Sequence, residues 1–280
     1  MVKKTTKIIL PLILLTIFCF SGCNVDWLGF VTSSDLDDRL KSKDSFVFLD
    51  DASRNWRSLT LEPEYSFVVL TDTHIEDGKD FDLKDKISKV ISENAKIKFV
   101  VILGDITQTG AEKDILKFIE VADSFGVPCY PVIGNHDIYF GNWPYWRDNI
   151  GSTMYRVDGD GLALIILDSA NSFFGKEQLD WLERQVNNAA GKRVFVFTHS
   201  PLFVTGPVDL QQITDTKERA RIVSMLKNKC DIMFMGHSHK RVENETGNVK
   251  YISIEDFKSK KVYCLVSVSG SGVSYEFFKL

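Results

Sequence analysis

Short apolar runs alternate along the chain with segments of helical periodicity. From about residue 66 onward, six runs have the length of a β-strand and are apolar on both faces, which is typical of strands inside a covered sheet. The runs are FVVL (67–70), IKFVVIL (97–103), VPCYPVI (127–133), LALIIL (162–167), VFVF (194–197) and IMFM (232–235).

Four segments between these runs carry the apolar stripe of an amphipathic helix. The stripes are Leu83, Ile87, Val90 and Ile91; Ile115, Phe118, Ile119 and Ala122; Leu179, Leu182 and Val186; and Ile222, Val223 and Leu226. Gly126 is placed to end the second helix, and Asp215 and Glu218 have capping-box spacing before the fourth. Strands that alternate with helices predict an α/β protein.

The C-terminal part has a different pattern. The runs YISI, VYCLVSVS and VSYEFF are consecutive and joined by short segments, so they predict an antiparallel tail that completes a second sheet. The short basic stretch KSKK at 258–261 is most simply a solvated turn.

The N-terminus has the composition of an export signal, with a basic start, a short apolar run and small residues. Residues 1–22 are therefore predicted to be cleaved. Ser-Gly-Cys at the cut site resembles a bacterial lipoprotein signal, which predicts a lipidated Cys23 and an exported protein anchored to a bacterial membrane in the cell envelope. The alternative is an ordinary signal with an incidental cysteine. Residues 23–64 are acidic and irregular and predict a tether and lead-in before a domain at 65–280.

Composition narrows the possible functions. The 280 residues are 44% hydrophobic and 26% charged, which is enough for one large domain. The formal charge of −4, with no basic run beyond KSKK, gives no electrostatic support for nucleic-acid binding, so none is expected. Cys129, Cys230 and Cys264 are far apart and odd in number, so we expect buried thiols rather than a disulfide framework or a thiolate metal site.

The unusual polar residues follow the strands directly. They form the blocks Thr71-Asp72-Thr73-His74, Gly104-Asp105, Gly134-Asn135-His136-Asp137, Thr198-His199 and Gly236-His237-Ser238-His239, which contain all five histidines of the chain. Ligands bind at the carboxyl ends of strands in open α/β sheets. Histidines, carboxylates and one amide without a thiolate suit Zn, Mn or Fe. These ligands are too many for one tetrahedral site and fit two ions that share a carboxylate, an arrangement that hydrolyses phosphate esters.

The blocks D-x-H, G-D, G-N-H-D, T-H-S-P and G-H-S-H, in this order, resemble the calcineurin-like metallophosphoesterases. The stretches YRVDGDGLALIILDS and KEQLDWLERQV resemble the cyclic-nucleotide-phosphodiesterase-like branch. The resemblance covers roughly residues 65–240. It implies a four-layer αββα sandwich, in which two mixed β-sheets are flanked by helices.

The resemblance also implies roles for individual residues. One divalent ion would be held by Asp72, His74 and His239. The second would be held by Asn135, His199 and His237, and Asp105 would bridge the two. A hydroxide between the ions would attack phosphorus in line, and His136 would act beside the scissile phosphate as charge stabiliser or general acid.

One position departs from the family pattern. Many members have an acid at the position of Gln108, where it hydrogen-bonds the catalytic histidine. We therefore expect Gln108 to orient His136 without balancing its charge. Asp137 either compensates for the missing acid or only supports the site residues from behind.

The sequence favours a phosphodiesterase acting on a small-molecule or cell-envelope phosphate ester. The alternatives are a phosphomonoesterase or nucleotide pyrophosphatase of the same fold, or a catalytically inactive metal-bound binding module. The aromatic segment 138–151 is predicted either to stack on a flat substrate group or to pack locally, and the oligomeric state stays open.

Overall fold

The computed structural model describes residues 35–205 and 212–280 and contains two mixed β-sheets. The strands are β1 Ser58–Leu59, β2 Tyr65–Leu70, β3 Ile97–Leu103, β4 Cys129–Val132, β5 Tyr155–Gly159, β6 Leu162–Ile166, β7 Arg193–Phe197, β8 Ile232–Met235, β9 Val242–Thr246, β10 Val249–Ser253, β11 Val262–Ser269 and β12 Gly272–Lys279. The seven-stranded sheet has the order β1-β5-β6-β7-β8-β10-β9, and the five-stranded sheet has the order β12-β11-β2-β3-β4.

The helices lie mostly between consecutive strands. They are α1 Leu36–Leu40, α2 Leu83–Glu93, α3 Glu112–Ser124, α4 Trp143–Asn149, α5 Gly175–Asn187, α6 Thr216–Leu226 and α7 Phe257–Lys260, with a 3₁₀ segment at His136–Gly141. The four predicted amphipathic helices are confirmed as α2, α3, α5 and α6. Asp215 caps α6 by accepting a bond from the N–H of Lys217, but Glu218 instead accepts from Phe174 and Gly175, so the predicted capping box does not form.

The core confirms the layered arrangement. Phe67 of the five-stranded sheet meets Phe195 of the seven-stranded sheet edge to face, with ring centroids 5.0 Å apart. The outer face of the seven-stranded sheet is covered by α5 and α6, whose apolar stripes pack in one cluster with Ile165, Val196 and Met233. The stripes of α2 and α3 belong to the same cluster as the five-stranded sheet. Two mixed sheets flanked by helices are therefore the observed fold, and the free thiols of Cys129, Cys230 and Cys264 are buried as predicted.

The described part of the predicted tether and lead-in packs against the domain that was predicted to begin at residue 65. Leu36, Leu40 and Phe48 are buried, and the fully buried Arg39 pairs with the fully buried Asp168 at 2.7 Å between Nε and Oδ2. The described part of the predicted lead-in is thus a packed part of the domain. This segment buries single residues rather than one long apolar run, so its hydrophobic pattern gives only a weak signal of packing. The predicted signal and Cys23 lie outside the described residues.

The C-terminal strands divide between the two sheets, which corrects the predicted single tail. Strand β10, which contains most of the YISI run, pairs in parallel with β8 and antiparallel with β9. Only β11 and β12 join the five-stranded sheet, where β11 runs antiparallel to β2. The crossing segment contains α7, so KSKK forms part of a helix rather than a solvated turn.

The aromatic segment after β4 forms the 3₁₀ segment and α4. Trp143 and Trp146 are buried, so local packing accounts for these two side chains. Within residues 35–205 and 212–280, no helix is both long and apolar enough to cross a membrane.

Candidate two-metal site

The loops after β2, β3, β4, β7 and β8 bring the predicted site residues together. Three overlapping groups have ligand atoms within 4.8 Å of one another: Asp72, His74 and His239; His74, Asp105 and His136; and Asp105, His199 and His237. Asn135 joins the third group, because its Oδ1 lies 3.1 Å from His199 Nε2. Residues from 72 to 239 thus converge on one edge of the paired sheets.

The backbone at these positions is unusual. Five of the candidate ligands have left-handed backbone angles, with φ between +46° and +65°: Asp72, His74, Asp105, His237 and His239. Side chains other than glycine adopt this region rarely, and such positions concentrate at functional sites. The fold therefore accepts local strain to present these side chains.

Three glycines that precede site residues allow close approach of the loops. A Cβ at Gly104 would lie 2.6 Å from His199 Nδ1, and one at Gly236 would lie 2.0 Å from Thr71 Oγ1. A Cβ at Gly134 would lie 2.2 Å from the backbone nitrogen of Asp105. Of the three, only Gly104 has a positive φ. At Gly134 and Gly236 a glycine is needed because a Cβ has no space.

His199 gives the strongest indication of a cation site. Its Nδ1 lies 2.7 Å from the carbonyl oxygen of Leu103, which can only accept, so Nδ1 carries a proton. In the neutral ring Nε2 then has a lone pair. This atom lies 3.0 Å from His237 Nδ1 and 3.2 Å from Asp105 Oδ2, close to other lone pairs. One proton cannot satisfy all of these acceptors, whereas a divalent ion among them would.

The group around Asp72 is more open. Its Oδ1 lies 3.1 Å from His239 Nε2 and 3.7 Å from His74 Nε2. The other carboxylate oxygen of Asp72 accepts the backbone N–H of His237 at 3.0 Å, which links this group to the group that contains His237. The buried Nδ1 of His74 has no hydrogen-bond partner among the described residues. Nitrogen and oxygen donors alone fit Zn, Mn or Fe, as the sequence predicted.

The protonation of the site reflects these contacts. Burial disfavours a charged His199, but the carboxylate of Asp105 outweighs burial and raises the pKa of His199 to about 9. Burial and the neighbouring His199 lower the pKa of His237 to about 4. Burial also opposes ionisation of Asp105, yet the adjacent histidines hold its pKa well below the usual range. The carboxylate is therefore charged and available to a cation.

His136 is held differently from the prediction. Its Nδ1 donates to the backbone carbonyl of Gln108 at 2.8 Å, so the Gln108 side chain takes no part. That side chain accepts from Lys258 Nζ at 3.1 Å. His136 Nε2 lies 3.9 Å from Asp105 Oδ2, beside the candidate ligands.

Asp137 supports the loops from behind. Its carboxylate accepts backbone N–H groups from Thr107 at 2.8 Å and from Gly134 at 2.9 Å. Burial raises the pKa of Asp137 to about 7, with the charge of Asp105 adding to the shift. It ties the loop after β3 to the loop after β4, which is the supporting role that the sequence left open.

Several residues near the site were not predicted. Tyr139 accepts from Asn135 Nδ2 at 2.6 Å, which turns the amide oxygen of Asn135 toward His199. Asp256 lies 3.8 Å from His239 Nδ1. A cavity of about 400 Å³ is lined by four of the seven candidate ligands, together with Asp256 and Lys258; the four are His74, Asp105, His237 and His239. Asp256 follows β10 as the other blocks follow their strands, so its position was the available signal.

Comparison with known proteins identifies the class. The model of the calcineurin-like phosphoesterase family matches residues 65–241. The chain belongs to this family and is a hydrolase of phosphate esters with a two-metal site.

The similar proteins include phosphodiesterases. A probable glycerophosphodiester phosphodiesterase GpdQ of Arcobacter nitrofigilis is 29% identical over 195 residues, which cover 62% of this chain and 71% of the relative. A probable cyclic nucleotide phosphodiesterase of Fibrobacter succinogenes is 31% identical over 184 residues, covering 61% and 71%. Among solved structures, a dimetal phosphatase from Danio rerio has a TM-score of 0.61 at 15% identity, covering 78% of this chain and 99% of its own. This last likeness shows the fold alone.

Proposed function

We propose that the protein is a phosphodiesterase that uses two divalent ions held by its seven candidate ligands. One ion would be held by Asp72, His74 and His239. The other would be held by Asn135, His199 and His237, and Asp105 would contact both. The observation that carries this proposal is the convergence of Asp105, Asn135 and His237 on Nε2 of His199.

The protein's own groups fix the positions at which the ions and the ester would bind. When bound, the ions supply an acidified water and neutralise phosphoryl oxygens. Asp105, buried and ionised between the two groups, fixes the spacing of the two ion sites. The loops after β3 and β4 are tied together by Asp137, so this spacing is set before substrate arrives.

His136 is placed to move a proton. Its Nδ1–H is fixed by the carbonyl of Gln108, which leaves Nε2 facing the cavity. A protonated Nε2 can donate to the leaving alkoxide in the transition state. Because the partner of Nδ1 is a neutral carbonyl, the imidazolium is stabilised on that side by a dipole rather than by a full negative charge.

Support for phosphodiesters comes from the relatives, which include a probable glycerophosphodiester phosphodiesterase and a probable cyclic nucleotide phosphodiesterase. A phosphomonoesterase or nucleotide pyrophosphatase of the same fold is the second candidate.

The test compares two substrates on one preparation. The full chain with added Mn²⁺ should hydrolyse bis-p-nitrophenyl phosphate faster than p-nitrophenyl phosphate. The Asp105→Asn variant should lose both activities. Faster monoester hydrolysis would overturn the diester preference, and no turnover from folded, metal-loaded protein would point to the inactive binding module.

We further propose that the protein is exported and anchored by a lipid on Cys23. The support is the sequence of residues 1–23, whose basic start, apolar run and Ser-Gly-Cys ending fit a bacterial lipoprotein signal. Radiolabelled palmitate should be incorporated into the wild type in a bacterial host and not into Cys23→Ala. Labelling of both or neither chain would contradict the anchor.

A further inference from the structure

Lys258 lies at the wall of the cavity that four of the candidate metal ligands line. It belongs to α7, in the segment that crosses from one sheet to the other. Gln108, His136 and Asp256 line the same cavity. Among the described residues that line it, Lys258 is the only lysine or arginine.

The ammonium group is held in place by contacts along the whole residue. The backbone N–H of Lys258 donates to the carbonyl of Asp72 at 3.1 Å, which fixes α7 against the metal-ligand loop. Its Nζ donates to Gln108 Oε1 at 3.1 Å and lies 4.7 Å from the centroid of the Phe81 ring. The side chain is only 30% exposed, so the charge sits against the protein rather than in open solvent.

These contacts leave most of the positive charge available. The amide of Gln108 accepts a hydrogen bond but carries no charge. The nearest carboxylate in contact, Glu76, lies 3.4 Å away on a half-exposed side chain, where water and salt weaken the pair. The pocket therefore contains a fixed cation in addition to the ions that its ligands would hold.

A simple phosphodiester does not require this second cation. Two divalent ions carry more positive charge than Asp72 and Asp105 carry negative, so the ion sites alone attract a singly charged ester. A separate ammonium at the cavity wall favours a ligand that carries another negative group at a distance from the phosphorus.

We propose that Lys258 binds a second anionic group of the substrate, a carboxylate or a further phosphate. The enzyme then prefers phosphodiesters that carry such a group near the scissile phosphorus. This inference rests on the proposed function, because it requires that the first phosphate binds at the ion sites. Gln108 contacts both His136 and Lys258, so it sets the position of the second anion relative to the proton donor.

The test measures binding rather than turnover. Three probes with the same carbon skeleton are titrated by calorimetry into the Mn²⁺-loaded full chain: glycerol 3-phosphate, 3-phosphoglycerate and glycerol 1,3-bisphosphate. The two probes with a second anion should bind about fivefold more tightly than glycerol 3-phosphate. Which of these two binds better distinguishes the carboxylate from the phosphate.

Variants separate a local contact from the general charge of the surface. Lys258→Gln should lose the preference while its affinity for glycerol 3-phosphate stays within about twofold, which also shows that the variant is folded. Lys260→Gln, an exposed change of equal charge on the same helix, should keep the preference. Glu76→Gln should increase the preference, because it removes the anion that competes for Lys258.

The outcomes distinguish this inference from the function on which it rests. Binding of glycerol 3-phosphate without any preference among the probes, or a preference that survives in Lys258→Gln, would overturn the role of Lys258 alone. An equal loss in Lys260→Gln would also overturn it, because the effect would then be long-range charge. If no probe binds the loaded protein, the phosphate site itself is wrong and both proposals fail.

Discussion

The two sets of ligands proposed for the two ions differ in how firmly the protein holds them. His199 is fully buried, its Nδ1 is fixed by the carbonyl of Leu103, and its Nε2 has three candidate ligand atoms within 3.2 Å. In the other group, the His239 side chain is 46% exposed and His74 Nε2 lies 3.7 Å from Asp72 Oδ1.

This difference indicates unequal ion sites. A preorganised, water-excluded group binds an ion without paying for rearrangement, whereas an open group must order its ligands and compete with water. We therefore expect the ion at Asn135, His199 and His237 to be retained, and the ion at Asp72, His74 and His239 to exchange readily. Asp105 is the one carboxylate that we propose to contact both ions.

The largest effect is expected at the shared carboxylate. Asp105→Asn removes the negative charge that offsets the repulsion between two neighbouring cations. This variant should lower turnover of bis-p-nitrophenyl phosphate at least about 100-fold. Asp85→Asn, an exposed change on α2, serves as the control and should leave turnover unchanged. Near-normal turnover of the Asp105→Asn variant would contradict the proposal that Asp105 bridges the two ions.

The next test compares the two groups directly. After dialysis against metal-free buffer, metal analysis of His239→Ala should find about one ion per chain, because the buried group is intact. His199→Ala should retain almost none, since only the open group remains. The reverse order of retention would show that burial does not set the affinity here.

A smaller effect is expected from the packing that links the groups. In Gly236→Ala the new Cβ would lie 2.0 Å from Thr71 Oγ1, so the loop carrying His237 must move. We expect a loss of about 2 kcal/mol in the free energy of unfolding, measured with urea. Gly270→Ala meets no atom within 4 Å and should change it by less than about 0.5 kcal/mol. Equal effects would mean that the loop adapts freely.

The smallest signal is a proton count. Asp105 raises the pKa of His199 to about 9, so the ring is protonated at pH 7.5 and must release a proton when an ion binds. Metal affinity therefore rises with pH up to about 9. Calorimetry in buffers of different ionisation enthalpy should show release of about one proton with the tighter ion. Its absence would mean that His199 is neutral before binding.

The sequence predicted the location of the site well, for a clear physical reason. Strand ends are readable from apolar runs, and parallel strands place their carboxyl ends at one edge, so blocks that follow strands must meet. The structure brings Asp72, Asp105 and His237 together accordingly. Their assignment to individual ions stays a prediction.

The sequence did not predict which atom of a residue makes a contact. Gln108 was expected to orient His136 through its side chain, but the backbone carbonyl does so. Local sequence does not show this choice, because it depends on Lys258, far along the chain, which engages the amide instead. For the same reason, a lysine in a basic stretch gave no sign that it lies at the cavity.

The packed N-terminal segment was missed on similar grounds. Arg39 is polar and follows an acidic stretch, so its pattern is that of a solvated segment. Its guanidinium is buried against Asp168 and the amide oxygen of Asn171, both in the loop after β6. Buried contacts of this kind, between single residues far apart in the chain, leave no periodic signal in either part of the sequence.

The central claim is that one carboxylate holds two ions side by side, and electron paramagnetic resonance of the Mn²⁺-loaded protein tests it most directly. Two Mn²⁺ ions that share Asp105 should give the multiline spectrum of a coupled pair, and Asp105→Asn should lose that coupling. A fully loaded wild type that shows only the six-line spectrum of isolated Mn²⁺ would contradict the shared site.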